Sequence, residues 1–232
     1  MQTIHAPGYE RRAVVFDLYG TLLDIRVNET SRSLWDALAR HFRARGHDVV
    51  GPALRRRYDA AMRAALQRRG EGFVLDHVFQ NLLETAGRRP TTGEIRDFAG
   101  IFRRCSTRRF RVRPYVKPLL RRLRRGGLKL ALVSNTEALL TEYDLARSSL
   151  NRLFDAVVLS SAVGVKKPDP RIFRLALRRL GVRPAEAVFV GDDLHVDIEG
   201  ARRTGMGVLP VTSRRCTLAA LGRGLRELGV PV

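Results

Sequence analysis

Residues 14–24 read VVFDLYGTLLD. Three apolar residues run straight into Asp17, as a buried strand would deliver one carboxylate to a surface. Two places on, where a second acid could share the work, stands Tyr19. Three further groups able to do chemistry follow apolar runs. Ser134 and Asn135 come after LALV, Lys167 comes shortly after VVLSSAVGV, and Asp192 and Asp193 come after VFVG. A carboxylate, a hydroxyl, an ammonium and an acidic pair thus each fall where a different apolar segment stops. A single carboxylate after a strand is often only a helix cap; four such coincidences point to one shared site.

The elements that must position these groups are legible as strands and helices. Residues 13–17, 128–135, 155–161, 187–193 and 207–212 have the apolar, β-branched character of strands. The central ones are continuously apolar, as expected of strands covered on both faces in a parallel sheet. VKPLLRRLRRGG sets Leu119, Leu120 and Leu123 on one side and stops at Gly-Gly. DPRIFRLALRRLGV opens with Asp-Pro, spaces Ile172, Phe173, Leu175, Ala176 and Leu180 at helical intervals, and closes at Gly181. This alternation predicts an α/β fold, a doubly wound parallel sheet with right-handed crossovers. Ligands of such sheets bind beyond the carboxyl ends of the strands, where the four groups lie.

From about residue 26 to 110 only helical patterns occur, in SLWDALARHF, ALRRRYDAAMRAAL, FVLDHVFQNLLETAG and TGEIRDFAGIFRRC, with GRRPTTGE as a loop. The expected organisation is an α/β core of residues 1–25 and 111–232, interrupted by a helical insert at 26–110.

The 232 residues are 44% hydrophobic and 28% charged, the composition of an ordinary globular protein. The longest apolar runs are far short of a bilayer span, so no membrane partner is expected. MQTIHAPGYERR lacks the apolar core of a signal peptide and reads as a loose lead-in to a cytoplasmic protein. Cys105 and Cys216 show no metal spacing and fit two inert thiols in a reducing compartment. The net charge of +20 would attract anions over a long range. Yet only four of the 43 basic residues are Lys, and the arginines are scattered through most of the chain. Without aromatic–basic interleaving or zinc-finger spacing, the pattern argues against specific nucleic-acid binding. Oligomeric state is left open.

FDLYGTLLD, LALVSN, GVKKPDPRIF and FVGDDLHVDIEGARRTGM together resemble the four motifs of the haloacid dehalogenase (HAD) hydrolase superfamily, in the subgroup with a helical cap after the first motif. The likeness runs from about residue 12 to 213 and rests on agreement in type, order and spacing. It implies that Asp17 is a nucleophile forming a covalent aspartyl intermediate, which splits one difficult displacement into two easier ones. Thr21 would turn the chain and orient the site, beside Gly20 in the tight turn. Ser134 would donate to the transferring group, with the backbone of Asn135 assisting; Thr21 and Asn135 thus face the substrate. Lys167 would neutralise charge on the nucleophile and the bound anion.

Mg²⁺ is implied as cofactor, held by Asp17, Asp192 and the backbone carbonyl of Tyr19 in an all-oxygen site. Asp193 and Asp197 would hold metal-bound waters or the loop itself, a helix N-cap being the plainer reading of Asp197. His195 is expected to be a bystander and Lys166 to face solvent. The implied partner is a small phosphorylated or anionic molecule.

HAD phosphatases usually carry a second aspartate where this chain has Tyr19. A phenol with a pKa near 10 can protonate a leaving alkoxide but is a poor base at neutral pH. The DLYGT form is similar instead to the 2-haloacid dehalogenases, in which halide leaves without a proton and no metal is required. The acidic GDD points the other way, because metal-free dehalogenases carry neutral Ser and Asn there. Crowded carboxylates raise one another's pKa, a difficulty that a divalent cation removes. The dehalogenase cap also offers an Arg within an aromatic-rich helix; Arg55, Arg56 and Arg57 lack that pattern. The expectation is a Mg-dependent phosphatase of small phosphorylated metabolites. The alternatives are a metal-independent 2-haloacid dehalogenase and a non-catalytic basic binding protein on the same fold.

Overall fold

The computed structural model describes residues 10–69, 75–84, 88–211 and 216–232. Most of the expected lead-in, residues 73, 74 and 85–87 of the third helical pattern, the first residue of GRRPTTGE and residue 212 of the fifth strand lie outside the described residues. The strands are β1 (Ala13–Phe16), β2 (Leu23–Val27), β3 (Thr107–Val112), β4 (Lys129–Ser134), β5 (Ala156–Leu159), β6 (Ala187–Gly191) and β7 (Gly207–Pro210). The helices are α1 (Arg32–Arg43), α2 (Gly51–Arg69), α3 (Leu75–Leu83), α4 (Thr92–Ser106), α5 (Val116–Arg125), α6 (Ala138–Ser148), α7 (Ser160–Val163), α8 (Pro170–Leu180), α9 (Gly200–Arg202) and α10 (Leu218–Glu227). Two compact units result: residues 1–24, 111–136 and 146–232, and residues 25–110 with 137–145.

The first unit is built on a five-stranded sheet in the order β5-β4-β1-β6-β7, every pairing parallel. This is the α/β architecture that the strand–helix alternation predicts. β1 lies in the middle and is wholly buried, which explains why its sequence shows no alternation. Alternate side chains serve opposite faces. Ala13, Val15, Ala131, Val133, Val158 and Phe189 pack with Ile172, Phe173, Ala176 and Leu177 of α8. The rings of Phe173 and Phe189 meet edge-on at 5.2 Å. Leu119, Leu120 and Leu123 are the buried stripe of α5. Both helix boundaries read from sequence have a physical cause. Asp169 caps α8 by accepting from the Arg171 N–H at 2.8 Å, and Gly181 closes it in the left-handed conformation.

The second unit gathers α1 to α4 and the start of α6 around an aromatic core containing Trp35, Phe42, Tyr58, Phe79, Phe98 and Phe102. Phe79 lies 5.0 Å from Phe98 and 5.1 Å from Phe102. The Trp35 indole N–H is satisfied by the Glu29 carbonyl at 2.9 Å. The expectation of helices alone across 26–110 fails at its edges, where β2 and β3 pair as a two-stranded sheet. Their sequences, LDIRV and TRRFRV, place charged side chains on half-exposed strands, so the apolar period that marks a buried strand is missing.

Residues 137–145, inside the segment assigned to the α/β core from sequence, group with the second unit. Leu140 joins its aromatic core, and Glu137 accepts the Leu75 N–H at 3.1 Å. The buried Asp144 receives Nε and Nη2 of the buried Arg103 at 2.8 and 2.6 Å. Among the described residues, no helix is long and apolar enough to cross a membrane. Arg103→Met removes this guanidinium from a carboxylate that has no access to water. It is expected to destabilise the protein by about 3–5 kcal/mol, read as a lower urea midpoint of unfolding.

Candidate active site

All the residues singled out from sequence as a site belong to the first unit, and the register of its sheet explains how they meet. Phe16 pairs with Leu132 of β4 and with Val190 of β6. The three strands therefore end within two residues of one another, β4 and β6 running slightly past β1, and Asp17, Ser134 and Asp192 come to the same edge of the sheet. The Asp17 N–H donates to the Val190 carbonyl at 2.9 Å, carrying the β1–β6 ladder one residue further. The chain then turns sharply: Leu22 and Leu23 both donate to the Leu18 carbonyl, and Gly20 donates to Leu23 at 2.9 Å. Tyr19, half-buried, forms a bridge with Leu23 in this turn.

Two glycines make the close approaches possible. Gly20 has φ +89°, and a Cβ there would lie 2.2 Å from Oδ2 of Asp192. A Cβ on Gly191 would lie 2.5 Å from Oδ2 of Asp197. The Asp192 carboxylate is held by Thr21, whose Oγ1 donates to Oδ1 at 2.9 Å. Thr21 is itself fixed from behind, because the Tyr115 hydroxyl donates to its carbonyl at 2.7 Å.

The centre of the site is the buried Lys167. Its Nζ lies 2.6 Å from Oδ1 of Asp17 and 2.6 Å from Oδ1 of Asp197, above the Phe189 ring at 5.6 Å from the centroid. Ser134 Oγ is 3.5 Å from the same Asp17 oxygen, the outer limit of a hydrogen bond. Burial alone would pull the ammonium below its usual pKa, but the two facing carboxylates hold it above. Burial pushes Asp17 and Asp197 up, opposed by Lys167. Asp192 is also raised, by burial and then by the charge of Asp197.

Not every candidate joins this cluster. Asp193 is absent from it: its Oδ1 accepts the N–H groups of His195 and Val196 at 2.9 and 2.8 Å, capping the turn Leu194–Glu199. The N-cap, the plainer alternative for Asp197, is thus supplied by Asp193, while Asp197 is buried against Lys167. An acid followed by a helical turn was the available signal, but two acids four apart compete for it. His195 is exposed and faces Glu199 at 3.6 Å, and Lys166 is exposed. Arg55 and Arg57 are held locally, by the Thr30 carbonyl at 3.0 Å and the Leu82 carbonyl at 3.3 Å. Asn135 contributes something absent from the sequence reading: its side-chain amide accepts the Lys167 N–H at 2.7 Å and donates to the Lys167 carbonyl at 2.8 Å. The supporting Tyr115 hydroxyl was also not legible, since nothing in a lone Tyr at a helix start announces its partner.

Asp17, Asp192 and Asp197 each bring one carboxylate oxygen within 4.8 Å of the other two. Three carboxylates face one ammonium, so the set is over-supplied with hard anionic oxygen, the donor type that Mg²⁺ prefers. Gly20 leaves the space that the Asp192 carboxylate fills. The residues present fit a divalent cation.

Residues 11–205 match the family model of the haloacid dehalogenase-like hydrolases, and the chain belongs to that family. It is similar to the glyceraldehyde 3-phosphate phosphatase of Methanopyrus kandleri, 48% identical over 93 residues, which are 40% of this chain and 40% of that protein. The chain therefore spans well under half the length of this relative. It is similar along most of its length to the (S)-2-haloacid dehalogenase of Xanthobacter autotrophicus, 31% identical over 216 residues, or 92% of this chain and 79% of the other. The HAD phosphatase from Thermococcus onnurineus shares the fold, with a TM-score of 0.59 at 24% identity over 94% of this chain and 98% of that one.

Lys167→Met leaves Asp17 and Asp197 facing each other without their shared cation. Stability is expected to fall by several kcal/mol near neutral pH. Because the two carboxyls then protonate well above the usual carboxylate range, the deficit relative to the parent should shrink as pH falls from about 7 to 5. Urea titrations at the two pH values check both the size and the sign.

Proposed function

We propose that the protein is a Mg²⁺-dependent phosphatase of small phosphorylated metabolites with Asp17 as nucleophile. The observation that carries this reading is the meeting of three carboxylates, two of which share the ammonium of Lys167. Lys167 opposes the effect of burial on Asp17, favouring the ionised form that attack requires, and adds positive charge where a phosphoryl group would sit. An Asp17 oxygen forms the new P–O bond while the bond to the leaving oxygen breaks. Water then attacks the aspartyl phosphate, freeing inorganic phosphate and the carboxylate. Ser134 is the donor for a phosphoryl oxygen, and Thr21 steadies Asp192.

Tyr19 is the proton donor to the leaving oxygen. A phenol is a far weaker acid than a carboxylic acid, so substrates whose leaving groups need little protonation, such as aryl or acyl phosphates, are favoured. Mg²⁺ would be held by Asp17, Asp192 and the Tyr19 carbonyl, with Asp197 beside them, and supplies charge compensation for the phosphoryl group when bound. The likeness to a glyceraldehyde 3-phosphate phosphatase supports a small phosphorylated substrate, and the two free thiols suit a cytoplasmic setting.

A metal-independent 2-haloacid dehalogenase is the second reading. It is favoured by the likeness that runs along most of the chain and by Tyr19, which a leaving halide does not need as an acid.

Two assays separate them. p-Nitrophenyl phosphate should be hydrolysed only with Mg²⁺, lost on chelation and restored by the metal, and Asp17→Asn should reduce turnover by at least about 10³-fold. Asp192→Asn should raise the Mg²⁺ concentration required. Chloride release from 2-chloropropionate without metal would replace the phosphatase reading by the second.

A further inference from the structure

We propose that Asn135 is a positioning residue whose side-chain amide fixes Lys167 in the site. This rests on the reading of Lys167 as part of the working centre, and it gives the Asn135 side chain a task separate from substrate contact. The parallel pairing of β4 with β5 ends at Ser134 and Leu159. Beyond it the strand ladder stops, and the segment from Ser160 to Asp169 must still bring Lys167 to Asp17, 150 positions away in sequence.

A carboxamide carries a carbonyl acceptor and an NH₂ group with two donors, so it can match both the N–H and the C=O of one residue as a peptide unit can. Asn135 uses both on one residue, taking the Lys167 N–H at 2.7 Å and giving to the Lys167 carbonyl at 2.8 Å. The side chain thereby adds one more rung where main-chain pairing has stopped. The next residue extends the seam: the Thr136 carbonyl accepts the Ser161 N–H at 3.3 Å.

The residue clamped is the one whose ammonium must lie within bonding reach of two carboxylates on two other strand ends. The position of its main chain sets where the stem of the side chain starts, and so whether one ammonium can reach both carboxylates at once. Asn135 is itself exposed, so burial gives no reason for an amide at this position. The reciprocal pair of bonds to Lys167 does.

The test combines kinetics with a signal that needs no turnover. Asn135→Ala, Asn135→Asp, Lys167→Met and the double variant of Ala at 135 with Met at 167 are assayed on p-nitrophenyl phosphate. Asn135→Asp keeps the acceptor for the Lys167 N–H but loses the donor. Both single changes at 135 are expected to lower kcat by about 10–100-fold, with KM within about twofold and the melting temperature near that of the parent. In the Lys167→Met background the same change should cost nothing further, because both act through one ammonium.

In parallel, the side-chain ¹⁵N–¹H spectrum of the four lysines should show a Lys167 ammonium signal protected from exchange, assigned by its loss in Lys167→Met. Asn135→Ala should broaden or erase that signal and spare the others. Losses that multiply in the double variant, a defect confined to KM, or an unchanged Lys167 signal would each overturn the proposal. If the parent protein turns over no phosphate ester, the phosphatase reading fails, and the spectra alone decide the clamp.

Discussion

The rest of the site depends on one buried ammonium held between two carboxylates. Lys167 sits 2.6 Å from both Asp17 and Asp197, in surroundings that exclude water. Each of the three charges alone would be too costly to bury, and together they can be. This constraint reaches outward. Gly191 must lack a side chain so that Asp197 can approach, and Gly20 must lack one so that Asp192 can stand beside the pair. The imbalance that remains is one acid more than the ammonium can serve, a set of hard oxygens that would suit a divalent cation.

The sheet provides the precision. A parallel ladder fixes relative height along the strands, and the register that pairs Phe16 with both Leu132 and Val190 brings three strand ends to within two residues of one another. The interior that holds this register is ordinary: alternating aliphatic residues against α8 on one face and the leucine stripe of α5 on the other. The polar work is confined to the last residue of each strand and the turn after it. There, hydrogen bonds from Thr21 and Asn135 and from the Tyr115 hydroxyl fix parts that packing does not reach.

Much of this was legible in the order of residues. Continuously apolar segments ending in Asp17, Ser134 and the Asp192 pair specified both a parallel sheet and where its site must lie, because burial on both faces leaves only the strand ends for polar groups. The helices at 116–125 and 170–180 were equally plain, their apolar spacing being bounded by Asp-Pro and Gly signals. Polar, half-exposed elements were not legible. β2 and β3 carry too many charges to show a period, and α6 has no single apolar face to mark it.

By itself, the sequence determined the fold class, the strand ends and the list of residues capable of chemistry, since these follow from local patterns of apolarity, spacing and residue type. Only the tertiary structure decided who faces whom. That Asp197 pairs with Lys167 while Asp193 merely caps a turn, and that Asn135 binds the backbone of Lys167, depend on distances across segments tens of residues apart. Side chains of one chemical type are interchangeable in a one-dimensional pattern; an ion pair or a reciprocal amide bond forms only where folding brings particular atoms within about 3 Å of each other.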